Sequence, residues 1–137
     1  MKLFVDHNIA PRVARALDVL FDEHEVTAKT DKFARDTPDA EWIGQLGKEG
    51  GWAVLSKDRA ILRSKAERAA LAERAAFRQA GLIGFFLEKA WERRSAAELT
   101  GRLLLRWDSL VTQFEQFEGS AVLFVPLKGT KIRVAPV

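Results

Sequence analysis

The sequence predicts an α/β fold of three layers: a mostly parallel central sheet, helices on both faces, and a β-hairpin at the C-terminal end. Three observations predict it. Short apolar runs of strand length alternate with helical patterns in the order β-α-β-α-β-α-β-α-β, with one trailing strand. The runs Leu3-Phe4-Val5, Trp52-Ala53-Val54-Leu55 and Leu82-Ile83-Gly84-Phe85-Phe86-Leu87 are continuously apolar, as strands covered on both faces are. The last two runs flank Gly129, which suits a reversal of the chain.

The first strand, Leu3-Phe4-Val5, ends at the charge of Asp6. Val13, Leu17, Leu20 and Phe21 follow at helical spacing and predict a buried helical face between about Ile9 and Phe21. His24-Glu25-Val26-Thr27 is read as the second strand. Thr37-Pro38-Asp39-Ala40-Glu41 has the character of a helix start: Thr37 as the cap, Pro38 at the first helical position and acids in the first turn. Trp42, Ile43 and Leu46 supply that helix's buried face, and Gly50-Gly51 ends it before the third strand. Capping boxes at Ser64-Lys65-Ala66-Glu67 and Ser95-Ala96-Ala97-Glu98 open a helix to about Gln79 and one last long helix. That last helix carries Leu99, Leu103, Trp107, Leu110, Val111, Phe114 and Phe117 on one face. Val122-Leu123-Phe124-Val125 and Ile132-Arg133-Val134 then form the hairpin.

A chain of 137 residues with 47% hydrophobic content is the size and composition of one globular domain, expected to span residues 1–137. The absence of cysteine excludes disulfides, thiolate metal sites and cysteine nucleophiles, and fits a reducing, cytoplasmic setting. The apolar stretch before Asp6 is too short for a signal peptide, and no run reaches the roughly 20 residues of a membrane span. Residues 1–56 carry a net charge of −3, whereas residues 57–106 carry +6. This division suits an acidic cluster ringed by phosphate-binding cations, and equally a pair of solvated Arg-rich helices. No Gly-rich phosphate loop, nucleophile elbow or His-Glu-x-x-His motif is present, which argues against nucleotide cofactors and the chemistries those motifs serve.

Sites in open α/β sheets lie beyond the carboxyl ends of the strands. After the first strand comes Asp6-His7-Asn8; after the third, Ser56-Lys57-Asp58-Arg59; after the fourth, Glu88-Lys89. Asp39 and Glu41 start a helix whose N-terminus can face the same edge. Carboxylates with few imidazoles and no thiol suit Mg²⁺ or Mn²⁺ better than zinc. Each residue also has a simpler role open to it. Asp6 can merely end its strand, Asn8 can cap the first helix, Asp39 and Glu41 can complement a helix dipole, and Asp58 can cap a turn. Glu88 can be only solvated surface, and His7 a satisfied polar neighbour. Trp91 can stack on a base or cover the sheet edge.

Asp6-His7-Asn8-Ile9-Ala10-Pro11, Thr37-Pro38-Asp39-Ala40-Glu41-Trp42 and Ser56-Lys57-Asp58-Arg59 resemble, in order and spacing, the PIN-like domains of VapC-type toxins. Gly81 to Leu87 with Lys89 and Trp91, and Val125-Pro126-Leu127-Lys128-Gly129, are similar as well, so the likeness covers nearly the whole chain. The resemblance implies a PIN-like fold and a Mg²⁺- or Mn²⁺-dependent ribonuclease, commonly the toxin of a toxin–antitoxin pair. It implies Asp6 and Asp58 as metal ligands, Asp39 or Glu41 as the third acid, and Asn8 assisting at the metal or orienting a water. Such domains usually present four acids, and Glu88 is the candidate for the fourth. Lys57, Arg59 and Arg63, beside Asp58, are expected to bind phosphate oxygens of RNA. The expected partners are an RNA substrate, a cognate antitoxin and a second copy in a homodimer. The competing expectation is a catalytically degenerate PIN-like module that binds RNA or a protein.

Overall fold

The computed structural model describes residues 1–57, 75–129 and 131–135. Six strands form one sheet in the order β2-β1-β3-β4-β5-β6. These are β1 (Lys2–Val5), β2 (Glu25–Ala28), β3 (Trp52–Ser56), β4 (Ile83–Leu87), β5 (Ala121–Val125) and β6 (Arg133–Ala135). The first five pair in parallel, and only β6 runs antiparallel, on β5. The α/β class, the mostly parallel sheet and the terminal hairpin are therefore as the sequence predicts.

The apolar runs are buried on both sides because alternate residues face opposite layers. Leu3, Val5, Leu55, Phe85, Leu87, Leu123 and Val125 point into one core, shared with α1 (Pro11–Leu20), α4 (Ala96–Leu105) and α5 (Trp107–Gln116). Phe4, Val54, Phe86 and Phe124 point into the other, shared with α3 (Asp39–Glu49) and with Phe77 of helical residues 75–80. A short helix, α2 (Lys29–Lys32), links β2 towards α3 and has no counterpart in the predicted elements. Gly84 is required on this second face: the rings of Phe86 and Phe77 lie 2.5 and 2.7 Å from where a Cβ would stand.

Local signals account for most element ends. Pro11 opens α1, where its missing N–H costs nothing. Gly50 and Gly51, both at positive φ (76° and 75°), turn the chain out of α3 and into β3. The Ser95 hydroxyl accepts the backbone N–H of Glu98 at 3.1 Å, realising the predicted cap. Ser64 and Glu67 lie outside the described residues, although residues 75–80 carry the predicted helix to its expected end.

Three expectations are corrected. The cap of α3 is Pro38, with no side-chain hydrogen bond, so Thr37 does not cap it. Leu20 is 57% exposed, because α1 ends there. Phe21 leaves the helical face and stacks on Trp107, with ring centroids 4.3 Å apart. The single long last helix is two helices, broken at Arg106 (φ −104°, ψ 1°).

Arg106 is buried, and its guanidinium donates to the carbonyls of Arg102 (3.2 Å), Leu127 and Gly129 (2.8 Å). It also lies 5.5 Å from the centre of the Trp91 ring. Burial, with Arg102 nearby, holds its pKa below the ordinary value for arginine. The break thus fastens the segment after β5 onto the helices. Trp91 is fully buried and donates its indole N–H to the Val125 carbonyl at 3.0 Å, so it fastens the sheet edge and is not available to stack on a base. Among the described residues, no helix is long and apolar enough to cross a membrane.

Candidate active site

The sheet order reverses direction between β1 and β3: the chain moves from β1 outward to β2 on one side, and from β3 through β4 to β5 on the other. Loops leaving the carboxyl ends of two such strands diverge and leave a crevice. The register pairs Val5 with Leu55 and brings the next residues, Asp6 and Ser56, side by side. The Asp6 backbone N–H donates to the Leu55 carbonyl at 2.9 Å, extending the ladder to the carboxylate itself.

Asp6 is only 7% exposed, and both its oxygens accept hydrogen bonds. Oδ1 accepts the His7 backbone N–H at 2.7 Å and lies 2.9 Å from His7 Nδ1. Oδ2 accepts the Ser56 hydroxyl at 3.1 Å. Asn8 completes a directional chain: its Nδ2 donates to Ser56 Oγ at 3.1 Å, and its Oδ1 accepts the Lys57 backbone N–H at 3.2 Å. The N-cap of α1 is Ala10, so the capping role open to Asn8 is not the one it takes. Asn8 instead ties the loop after β1 to the loop after β3, one residue before Asp58.

Asp39 approaches this pair from the first turn of α3, held by the Trp42 indole N–H at 2.8 Å. Trp42 is itself stacked on Phe4, with centroids 4.8 Å apart, so the acid's position is set by the second core. Beside Asp39 and His7 lies Lys29, at the first position of α2 and 4% exposed. Its Nζ is 3.7 Å from Asp39 Oδ1, 3.5 Å from His7 Nδ1 and 5.5 Å from the centre of the Trp42 ring. A lysine is rarely buried this far without counter-charge, and Asp39 supplies it here.

Asp6 and Asn8 are therefore brought together with the backbone of Lys57, and Asp39 is linked to them through Lys29 and His7. Glu41 is exposed on the first turn of α3 and makes no described bond to this cluster. Glu88, the candidate fourth acid, instead pairs with Arg133 of β6 at 2.7 Å, beyond β3 on the far half of the sheet. Asp58, Arg59 and Arg63 lie outside the described residues.

Two members of the cluster were missed by the sequence reading, each with a legible signal. Ser56 is the first polar residue after the third apolar run, as Asp6 is after the first. Lys29 is the first polar residue after the carboxyl end of β2, the same position that Asp6 takes after β1. The chemistry of the donor set (carboxylates, an amide and a hydroxyl, all oxygen) fits a hard divalent cation. Among the described residues, however, no three His, Cys, Asp or Glu side chains converge as a cage.

The model of a family described as a PIN like domain matches residues 1–89 of the chain, a span that runs from β1 through the loop after β4 and includes every residue of the cluster. No curated protein and no solved structure matches it. With the matched span covering more than half of the 137 residues, and a mostly parallel α/β sheet in place, the chain belongs to the PIN-like domain family.

Proposed function

We propose that this chain is a Mg²⁺- or Mn²⁺-dependent ribonuclease, the toxin component of a VapC-type toxin–antitoxin pair. Membership of a PIN-like family points to nuclease-type activity in general. The observation that carries the finer reading is the Asp6–Ser56–Asn8–Lys57 chain of hydrogen bonds. It connects a buried acid at the topological switch point to the backbone of Lys57, one residue before Asp58 in the segment that also carries Arg59 and Arg63.

In this reading Asp6, Asp58 and Asp39 hold the cation, while Asn8 orients the loop or a water. When bound, the cation supplies activation of a water and neutralises charge on the phosphate. The chain's own residues do the remaining work. Lys57, Arg59 and Arg63 contact phosphate oxygens and stabilise the leaving group. Glu41 is the alternative third acid, reachable from the same turn as Asp39. The reading also takes an RNA substrate, an antitoxin encoded beside the gene, a cytoplasmic setting and a homodimer as its partners and context.

The testing experiment is cleavage of a mixed RNA pool by wild type, Asp6→Asn and Asp58→Asn, each in Mg²⁺, Mn²⁺ and EDTA. Cleavage that needs the cation and both carboxylates is expected. Cleavage that survives EDTA, or both substitutions, would overturn the reading.

A second reading, a non-catalytic module that binds RNA or a protein, is favoured by two observations. Both Asp6 oxygens are already taken by protein donors, and Lys29 places a positive charge beside Asp39. Such a module would hold RNA undiminished in EDTA, with an affinity that falls steeply with salt.

A further inference from the structure

We propose that Lys29 is the resident cation of the acid cluster: its ammonium holds Asp39 towards Asp6 and His7, and it opposes the entry of a divalent cation to the same acids. The inference rests on reading the cluster as a cation-dependent nuclease site.

Three observations carry it. First, the ammonium lies 3.7 Å from Asp39 Oδ1 and 3.5 Å from His7 Nδ1, and His7 Nδ1 in turn lies 2.9 Å from Asp6 Oδ1. Second, the lysine is 4% exposed, so water does little to screen its charge from these neighbours. Third, its position is built from two elements. The end of β2 delivers it at the first residue of α2, and the face of Trp42 in α3 lies 5.5 Å from its nitrogen. At 3.7 Å the contact with Asp39 is electrostatic and longer than a hydrogen bond, so the carboxylate can be approached by a second cation, but only against the repulsion of the first.

Lys29 is thus a positioning residue with two opposed effects. It keeps the third acid at the rim when no divalent cation is bound, and it sets how tightly one binds.

The test is direct Mn²⁺ titration by calorimetry on the full, chelator-treated chain. It compares wild type, Lys29→Met, Lys29→Arg and the double variant Lys29→Met with Asp39→Asn. Methionine keeps the unbranched stem against Trp42, and the half-buried Asp39 keeps its indole donor, so the fold should persist; near-ultraviolet circular dichroism checks this. If Lys29→Met does not fold, Lys29→Gln takes its place. The expected result is Mn²⁺ binding tighter by about tenfold or more in Lys29→Met, from removal of a buried like charge a few ångströms away. Lys29→Arg should match wild type, and the gain should vanish when Asp39→Asn is added. Equal or weaker binding by Lys29→Met would overturn the inference alone. Absence of Mn²⁺ binding in every variant would overturn it together with the cation-dependent reading.

Discussion

Glu49 shows how one carboxylate can be committed to structure while another is held for chemistry. At the last residue of α3 it accepts from Gln45 (3.0 Å), from Lys32 of α2 (3.0 Å) and from the Trp52 indole N–H of β3 (2.9 Å). The hydrogen bonds from Gln45 and Lys32 lead in lowering its pKa from 4.5 to about 2. Because the folded value lies below the ordinary one, the stabilisation is complete above about pH 4.5 and is lost as the pH falls towards 2. Melting temperature measured across that window should therefore fall more steeply for wild type than for Glu49→Gln, which has no proton to take up. Asp39, at the other end of the same helix, meets the other lysine of α2. Lys29 and Lys32 thus clasp the two ends of α3, one at the candidate site and one on the structural side.

At the scale of elements, two glycines in helices predict opposite outcomes for the same substitution. In α3, a Cβ at Gly47 would stand 2.7 Å from Ala80 Cβ and 2.8 Å from Ala80 Cα, so Gly47→Ala must push α3 away from helical residues 75–80. Overpacking of this kind typically costs about 1–3 kcal/mol, more than the helix propensity that alanine contributes. In α4, Gly101 is exposed with no heavy atom within 4 Å of the same point, and Gly101→Ala should stabilise by about 0.5–1 kcal/mol. Urea unfolding of the two variants checks both signs, and the reverse order would mean that packing between α3 and residues 75–80 is looser than the distances say. The α4–α5 break belongs to this scale too. A continuous helix would satisfy the local propensity of the sequence. The carbonyls of Leu127 and Gly129 instead draw the Arg106 guanidinium inward, and the apolar face resumes one residue later at Trp107.

Over the whole molecule, the sheet divides the tryptophans evenly. Trp42 and Trp52 are in the core beneath α3, and Trp91 and Trp107 are in the core beneath α1, α4 and α5. All four are buried. If the two cores unfold together, variants that keep only the first pair or only the second should show thermal transitions at the same midpoint by fluorescence, coincident with far-ultraviolet circular dichroism. Separate midpoints would mean that the two faces of the sheet melt as independent units. The same arrangement ties the acids of the candidate site to the core and the sheet. Phe4 and Trp42 carry the second core to within one hydrogen bond of Asp39, and β1 and β3 carry the ladder to Asp6.

The sequence by itself determined the parallel sheet, the terminal hairpin and the acids at strand exits. These follow from local quantities: continuous apolar runs, helical spacing, a serine cap, and glycines where the backbone turns left-handed. It also placed Asp6 and Asp39 among the candidates, because an acid ending an apolar run and an acid in a first helical turn are both visible without a fold. Only the tertiary structure decided which of these residues meet. Strand register set Ser56 beside Asp6, and the reversal of strand order put the switch point between β1 and β3. The pairing with Arg133 drew Glu88 to the far half of the sheet. Lys29 is the sharpest case. Read along the chain it is one charged residue in a polar stretch, and its burial beside His7, Asp39 and Trp42 arises only when the loop after β1 and α3 close around it. Contacts between residues distant in sequence depend on register and on layer packing, and neither has a local signature in the chain.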